Sequence, residues 1–313
     1  MSTLLDEPPT SRSDHGERLR TSMAAMRLSF TWFGTRKSLS SEQRSQAAST
    51  FHAESKFLSA GKKLIDTSDP SFRAVTSVRS HASGYFKSIS LPYPEPGIRL
   101  VQRDSLGKID EKMQGFRQEL AEAVDQLEDR FGELKAEARQ RLGDLYDESD
   151  YPVSLEGLFE IGWDFPSVEP PDYLRRLNPE LYQAECDRIR ARFDEAVTLA
   201  ETAFKEELGK LVEHLAERLS GGEDGKPKVF RNSAIENFEE FFQRFQRLNI
   251  RSSEDLDQVV QSARSLVAGV EPQQLRDSEA VRERMRSGLQ QVQSSLDELM
   301  TERPRRRILR RAR

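Results

Sequence analysis

The sequence predicts a mainly α fold, built on a long antiparallel, coiled-coil-like helical hairpin with a smaller helical bundle and a minor two-stranded β element. The main observation is that large apolar residues recur every three or four positions through residues 106–146 and again through residues 179–219. This spacing places them on one face of a helix. In addition, 32% of the residues are charged and only 36% are hydrophobic, a balance typical of helices with large solvent-facing surfaces.

Composition excludes several classes of protein. The 313 residues carry a formal net charge of −5, which excludes a wholly basic nucleic-acid coat and a strongly acidic disordered chain. No apolar run approaches the roughly 18 residues of a membrane helix, and residues 1–25 lack the apolar centre of a signal peptide. We therefore expect a soluble, cytoplasmic protein without a membrane partner.

The N-terminal third of the sequence gives weaker indications of secondary structure. Residues 1–25 combine Ser, Pro and charge and are predicted to be a disordered tail, followed by a strand and helix region at 26–105. An alternating run predicts a half-buried strand, and residues 98–101 a second strand beside it. Ser40 and Gln43 form a predicted capping box, and Pro70 begins a predicted helix. The residues of the alternating run are Met26, Leu28, Phe30 and Trp32.

The two long helices are predicted to pair because neither finds enough apolar partner surface inside a compact globule. Helices of similar length that follow one another in sequence most simply form an antiparallel hairpin, here residues 106–220. Their apolar stripes satisfy pairing between two chains equally well, so a homo-oligomer stays open. The connection, residues 147–178, is too long for a turn and is predicted to be an aromatic and proline-rich cap.

Three shorter helices are predicted in residues 229–301, after the glycine-rich stretch at 220–228. The four phenylalanines of the first are predicted to pack in a core, with a protein-docking groove as the alternative. They are Phe238, Phe241, Phe242 and Phe245. The chain ends in an arginine-rich tail, residues 302–313.

The sequence predicts no catalytic residue, no cofactor and no metal site. The only cysteine, Cys186, excludes internal disulfides, and the histidines lack the spacing of metal ligands. The glycine-rich stretch at 220–228 lacks the glycine and the Ser or Thr that a Walker phosphate loop needs. An enzymatic site assembled from residues 150–174 remains an alternative.

The tail is the one charge feature that stands apart, with seven arginines and no acid in its last eleven residues. Guanidinium groups form bidentate contacts with carboxylates and phosphates. An acidic protein partner, nucleic acid and a purely solubilising role all fit this composition. The residues predicted to make such contacts include Arg305, Arg306, Arg307, Arg310, Arg311 and Arg313.

Several short motifs between residues 26 and 220 resemble a bacterial and phage family known only as a domain of unknown function. Members of that family are typically encoded beside a MoxR-type AAA+ ATPase and a von Willebrand factor A protein similar to a cobaltochelatase subunit. The resemblance implies these two proteins as partners and carries no catalytic residue. The motifs are SFTWFGTRK at 29–37, LPY at 91–93, GIRL at 97–100, LGDLY at 142–146, DYP at 150–152, FP at 165–166 and PDYL at 171–174.

The first functional hypothesis is therefore a non-enzymatic helical adaptor or scaffold that acts with the ATPase and the A-domain protein. The alternative is a nucleic-acid-binding protein that uses its arginine-rich tail, whose affinity would fall steeply with salt. Partner contacts are expected where the helices begin and end, in the motifs at 91–100 and 150–174. The candidate residues there are Tyr93, Tyr151, Trp163, Phe165 and Tyr173.

Overall fold

The computed structural model describes residues 12–219, 233–270 and 272–301, and within these ranges the protein is mainly α, as predicted. The helices are α1 (Arg12–Ser22), α2 (Ser41–Thr50), α3 (Pro70–Ser88), α4 (Leu106–Leu142), α5 (Asp172–Leu177), α6 (Pro179–Leu219), α7 (Ser233–Leu248), α8 (Glu254–Val267), α9 (Pro272–Asp277) and α10 (Glu279–Met300). The strands are β1 (Met23–Thr31), β2 (Arg36–Ser38), β3 (Gly61–Lys63), β4 (Ser90–Pro92), β5 (Ile98–Gln102) and β6 (Glu160–Asp164). None of the helices in these ranges is both long and apolar enough to span a membrane.

The chain divides into two compact units, and it enters each of them more than once. Unit 1 contains the described residues within 1–25, 89–101 and 167–313, and unit 2 contains residues 26–88 and 102–166. The segment at 147–178 is thus divided between the units after Pro166. The division of the chain into five consecutive regions stays a prediction.

Unit 1 is built around α6, which contacts α1, α7, α8 and α10. The apolar stripe of α6 enters the core of the unit, and the α7 phenylalanines are buried beside it, which confirms the core-packing prediction. The rings of Phe241 and Phe245 lie edge-on to Phe204 of α6. The buried α7 phenylalanines are Phe238, Phe241, Phe242 and Phe245.

Helix α1 occupies residues that were predicted to be disordered. Its Leu19 is 1% exposed, within the apolar core of unit 1. At Gly16 the helix approaches α6 so closely that a Cβ atom would lie 2.2 Å from Asp194 Oδ1. A polar segment with few large apolar residues is thus ordered by packing against α6, a stabilisation that local composition does not reveal.

Unit 2 contains the packed pair α3 and α4. The predicted capping box is present at the start of α2, where the Ser40 side chain accepts from the Gln43 amide. The ring of Phe159 lies edge-on to those of Trp32, Phe33 and Phe72 and so connects the segment that follows β1 to α3. This aromatic cluster supports the face of α4 that carries Phe131, whose ring meets Phe33.

The sheet is larger than predicted. Four strands follow the order β4-β5-β1-β6, so the two predicted strands are neighbours, and a separate two-stranded sheet joins β2 to β3. Strand β6 pairs antiparallel with β1, with Ser29 opposite Gly162 and Thr31 opposite Glu160. The sequence predicts no strand at β6, because its five residues, EIGWD, lie within a segment rich in prolines and aromatic residues and its partner β1 is distant in sequence.

The predicted hairpin is not confirmed. Both helices are as long as expected, with 37 residues in α4 and 41 in α6. However, α4 buries its stripe in unit 2, where it packs on α3, and α6 buries its stripe in unit 1. An apolar stripe shows that a helix has an apolar partner, but it does not identify that partner.

Candidate partner-binding surface

Two of the predicted partner-binding residues are buried. Tyr93 is 6% exposed in unit 1, and the centre of its ring lies 5.5 Å from the centre of the Phe193 ring in an edge-on arrangement. Burial raises the pKa of the Tyr93 hydroxyl. Tyr151 is 8% exposed in unit 2, where its hydroxyl donates to the Leu64 carbonyl oxygen at 2.8 Å. Burial, with the nearby Tyr146 and Asp150, raises the pKa of Tyr151 to about 12. These two rings serve the cores of their units and offer little surface for a partner.

Trp163 is half-buried and has a structural role at the sheet edge. Its indole N–H donates to Asp110 Oδ1 at 2.9 Å, which ties β6 to α4. The Arg117 guanidinium lies 4.3 Å from the centre of the indole ring and donates to the Ile161 carbonyl oxygen at 3.2 Å. Arg117 therefore covers a backbone acceptor of the last strand in the sheet order, the kind of group that otherwise recruits another chain.

The other two predicted residues are exposed. Phe165 is 43% exposed in unit 2, and Tyr173 is 62% exposed on α5 in unit 1. Large aromatic side chains at the surface often mark sites of protein association when other apolar groups surround them. Only Tyr173 lies on a helix that carries a second exposed large apolar residue.

That second residue is Leu177, which is 77% exposed. Tyr173 and Leu177 are four residues apart on α5 and so lie on the same side of the helix. Leu181, in the first turn of α6, is 44% exposed and adds a third apolar group. We call these three side chains, with Arg175 and Arg176 between them in sequence, the α5 surface.

The local sequence explains why α5 presents this surface. Pro171 and Pro179 lie just outside the two ends of the helix and keep it to six residues. Asn178 interrupts the helix with an extended backbone, and its side-chain oxygen accepts from the Leu181 amide at 3.0 Å, which caps α6. The interruption at Asn178 therefore leaves α5 as a short helix with an exposed face of its own.

Two cations accompany the apolar groups. Arg175 and Arg176 are exposed, and neither forms an ion pair with another described residue. Tyr and Arg, together with Trp, are enriched among the residues that dominate the energy of protein interfaces. The α5 surface is therefore suited to an apolar partner patch that has carboxylates at its edge.

Sequence reasoning identified Tyr173 but missed Leu177 and Leu181. Leu181 fits the three-and-four spacing of the long helix, which predicts that it lies on the buried stripe. The i to i+4 spacing of Tyr173 and Leu177 was the available signal. It could not show that both side chains face solvent.

The arginines proposed for nucleic-acid or acidic-partner binding, Arg305 to Arg313, lie outside the described residues. An acidic protein partner, nucleic acid and a solubilising role all stay predictions for that tail. Searches against family models, curated proteins and solved structures found no match to this chain.

Proposed function

We propose that this protein is a non-enzymatic helical adaptor that acts with a MoxR-like AAA+ ATPase and a von Willebrand factor A-type protein, and that the α5 surface docks the ATPase. The observation that carries the proposal is the exposure of Tyr173, Leu177 and Leu181 on two adjoining elements, beside two arginines that form no ion pair within the described part of the chain. Exposed apolar groups of this size are unfavourable in water and are stabilised when a partner covers them.

The choice of partners rests on the resemblance described above. Its last motif, PDYL at 171–174, contains Tyr173 and the first turn of α5. The motif therefore overlaps the short helix that carries two of the three apolar residues of the α5 surface. The enzymatic alternative in residues 150–174 stays an untested prediction.

The first test is co-purification of the tagged full-length chain with each partner, co-expressed and treated with nuclease. In the double variant Tyr173→Ser/Leu177→Ser, we expect at least about tenfold weaker capture of the ATPase, because truncation of central interface residues typically costs more than about 1 kcal/mol each.

The matched control is Phe51→Ser/Phe57→Ser, which removes two phenylalanines that are 76% and 82% exposed outside the α5 surface. This control should capture as much ATPase as the native chain. Equal capture by the α5 variant and the native chain would show that the α5 surface is not the docking site. Failure of the native chain to retain either partner at low salt would contradict the adaptor function itself.

A further inference from the structure

Unit 2 contains a groove with an apolar floor, separate from the α5 surface. It has a volume of about 690 Å³ and lies between α4, strands β1 and β6 and the loop before β6. Its floor is formed by Leu120, Val124, Phe159 and Ile161. Volumes of roughly 300–1,000 Å³ are usual for sites that enclose a ligand.

The rim of this groove is acidic. Asp125, Glu156 and Glu160 are exposed around it, and Glu128 contributes a fourth carboxylate. Glu128 has a structural role, since it accepts from the Leu155 amide at 2.6 Å and holds the loop. Asp125 and Glu156 have no hydrogen-bond or ion-pair partner for their carboxylates among the described residues.

Arg117, the cation that lines the groove, does not neutralise this rim. Its guanidinium is held by the Ile161 carbonyl and by the face of Trp163, and it forms no ion pair with another described residue. The groove thus combines apolar contact area with several carboxylates available to an incoming cation. A segment with guanidinium groups on both sides of apolar side chains has the complementary chemistry.

The chain itself supplies such a segment. Residues 303–313 contain seven arginines and no acid, and Ile308 and Leu309 stand between two groups of arginines. We propose that the groove of unit 2 binds residues 303–313 of a second copy of this chain, with Ile308 and Leu309 on the apolar floor and arginines paired to Asp125, Glu156 and Glu160.

Self-association of the full chain tests this proposal. Sedimentation velocity of the nuclease-treated protein should show concentration-dependent association at about 20 mM salt that is lost at about 500 mM, because salt screens exposed ion pairs. Excess synthetic peptide with the sequence of residues 303–313 should dissociate the assembly. A labelled form of this peptide should bind the native chain directly.

The decisive variant is Glu156→Lys/Glu160→Lys, which reverses two exposed rim charges. It should weaken both peptide binding and self-association at least about tenfold, since two attractive pairs are replaced by repulsive ones. The matched control, Glu195→Lys/Glu213→Lys, makes the same charge change at exposed positions of α6 and should leave both unchanged.

Three outcomes would overturn the proposal. The full chain could remain monomeric at about 100 μM in low salt, well above the dissociation constants of specific interfaces. The rim variant and the control could bind the peptide equally. Association could also depend on nucleic acid and vanish with nuclease, which would assign the segment to a phosphate backbone instead. Thermal melts followed by circular dichroism confirm that both variants fold.

Discussion

Asp150 organises one end of unit 2 through two lysines. Its carboxylate is 2% exposed and forms ion pairs with Lys37 of β2 and, at 2.5 Å, with Lys62 of β3. Lys62 is also buried and donates to the Leu145 carbonyl oxygen at 2.6 Å. Burial alone would raise the pKa of Asp150, but hydrogen bonds from Lys37 and Lys62 outweigh burial and hold this pKa below its ordinary value. The small sheet is thereby fixed to the turn that follows α4.

The substitution Asp150→Asn should lower the free energy of unfolding by about 2 kcal/mol at pH 7, because it leaves the buried Lys62 ammonium without its counter-charge. A carboxyl whose pKa is depressed by folding stabilises the native state above its ordinary pKa of 3.8 and loses this effect as the pH falls. The difference between variant and native chain should therefore narrow below about pH 4. Urea titrations at several pH values measure it.

Asp187→Asn is the control, since Asp187 pairs with Arg190 at an exposed position of α6. This change should alter the free energy of unfolding by less than about 0.5 kcal/mol. If both substitutions have the same small effect at pH 7, Asp150 does not have the structural role described here.

At the scale of elements, the contact of α1 with α6 depends on a glycine. A Cβ atom at position 16 would lie 2.2 Å from Asp194 Oδ1 and 3.3 Å from the Asp194 backbone nitrogen. Rotation of the Asp194 side chain could relieve the first contact but not the second. At Gly16 the two helix backbones are therefore so close that a Cβ atom would require both rotation of the Asp194 side chain and a small shift of the backbones.

The substitution Gly16→Val should separate α1 from α6 and lower the free energy of unfolding by about 2 kcal/mol, the usual range for overpacking. Gly115→Val provides the matched control on α4, because a Cβ atom there would meet no atom within 4 Å. Valine has a slightly better helix propensity than glycine, so the control should change the free energy by no more than about 0.5 kcal/mol. Chemical denaturation of both variants makes the comparison, and equal effects would contradict the close contact.

At the scale of the molecule, the sequence predicted the helices better than their partners. The apolar spacing in α4 and α6 depends on local geometry and so was visible in sequence. Their packing depends on which surfaces meet after the chain has crossed between units, and no local pattern records this. Strand β6 was missed for the same reason, since its pairing with β1 joins residues more than 120 positions apart.

The candidate site shows the same contrast between features that local sequence predicts and features that depend on packing. Tyr93, Tyr151 and Tyr173 all stand beside prolines or turns and looked equivalent in sequence. Burial distinguishes them, because Tyr93 and Tyr151 complete the cores of their units whereas Tyr173 faces solvent on α5. Exposure is a property of the folded chain, so the α5 surface required the structure.

The most direct test of the adaptor account is hydrogen–deuterium exchange of the full-length chain with and without the MoxR-like ATPase. Residues 172–182 should exchange rapidly in the free protein, because α5 is short and exposed, and should become protected in the complex. Protection centred on these residues is the result we predict. A stable complex in which their exchange is unchanged would contradict docking through the α5 surface.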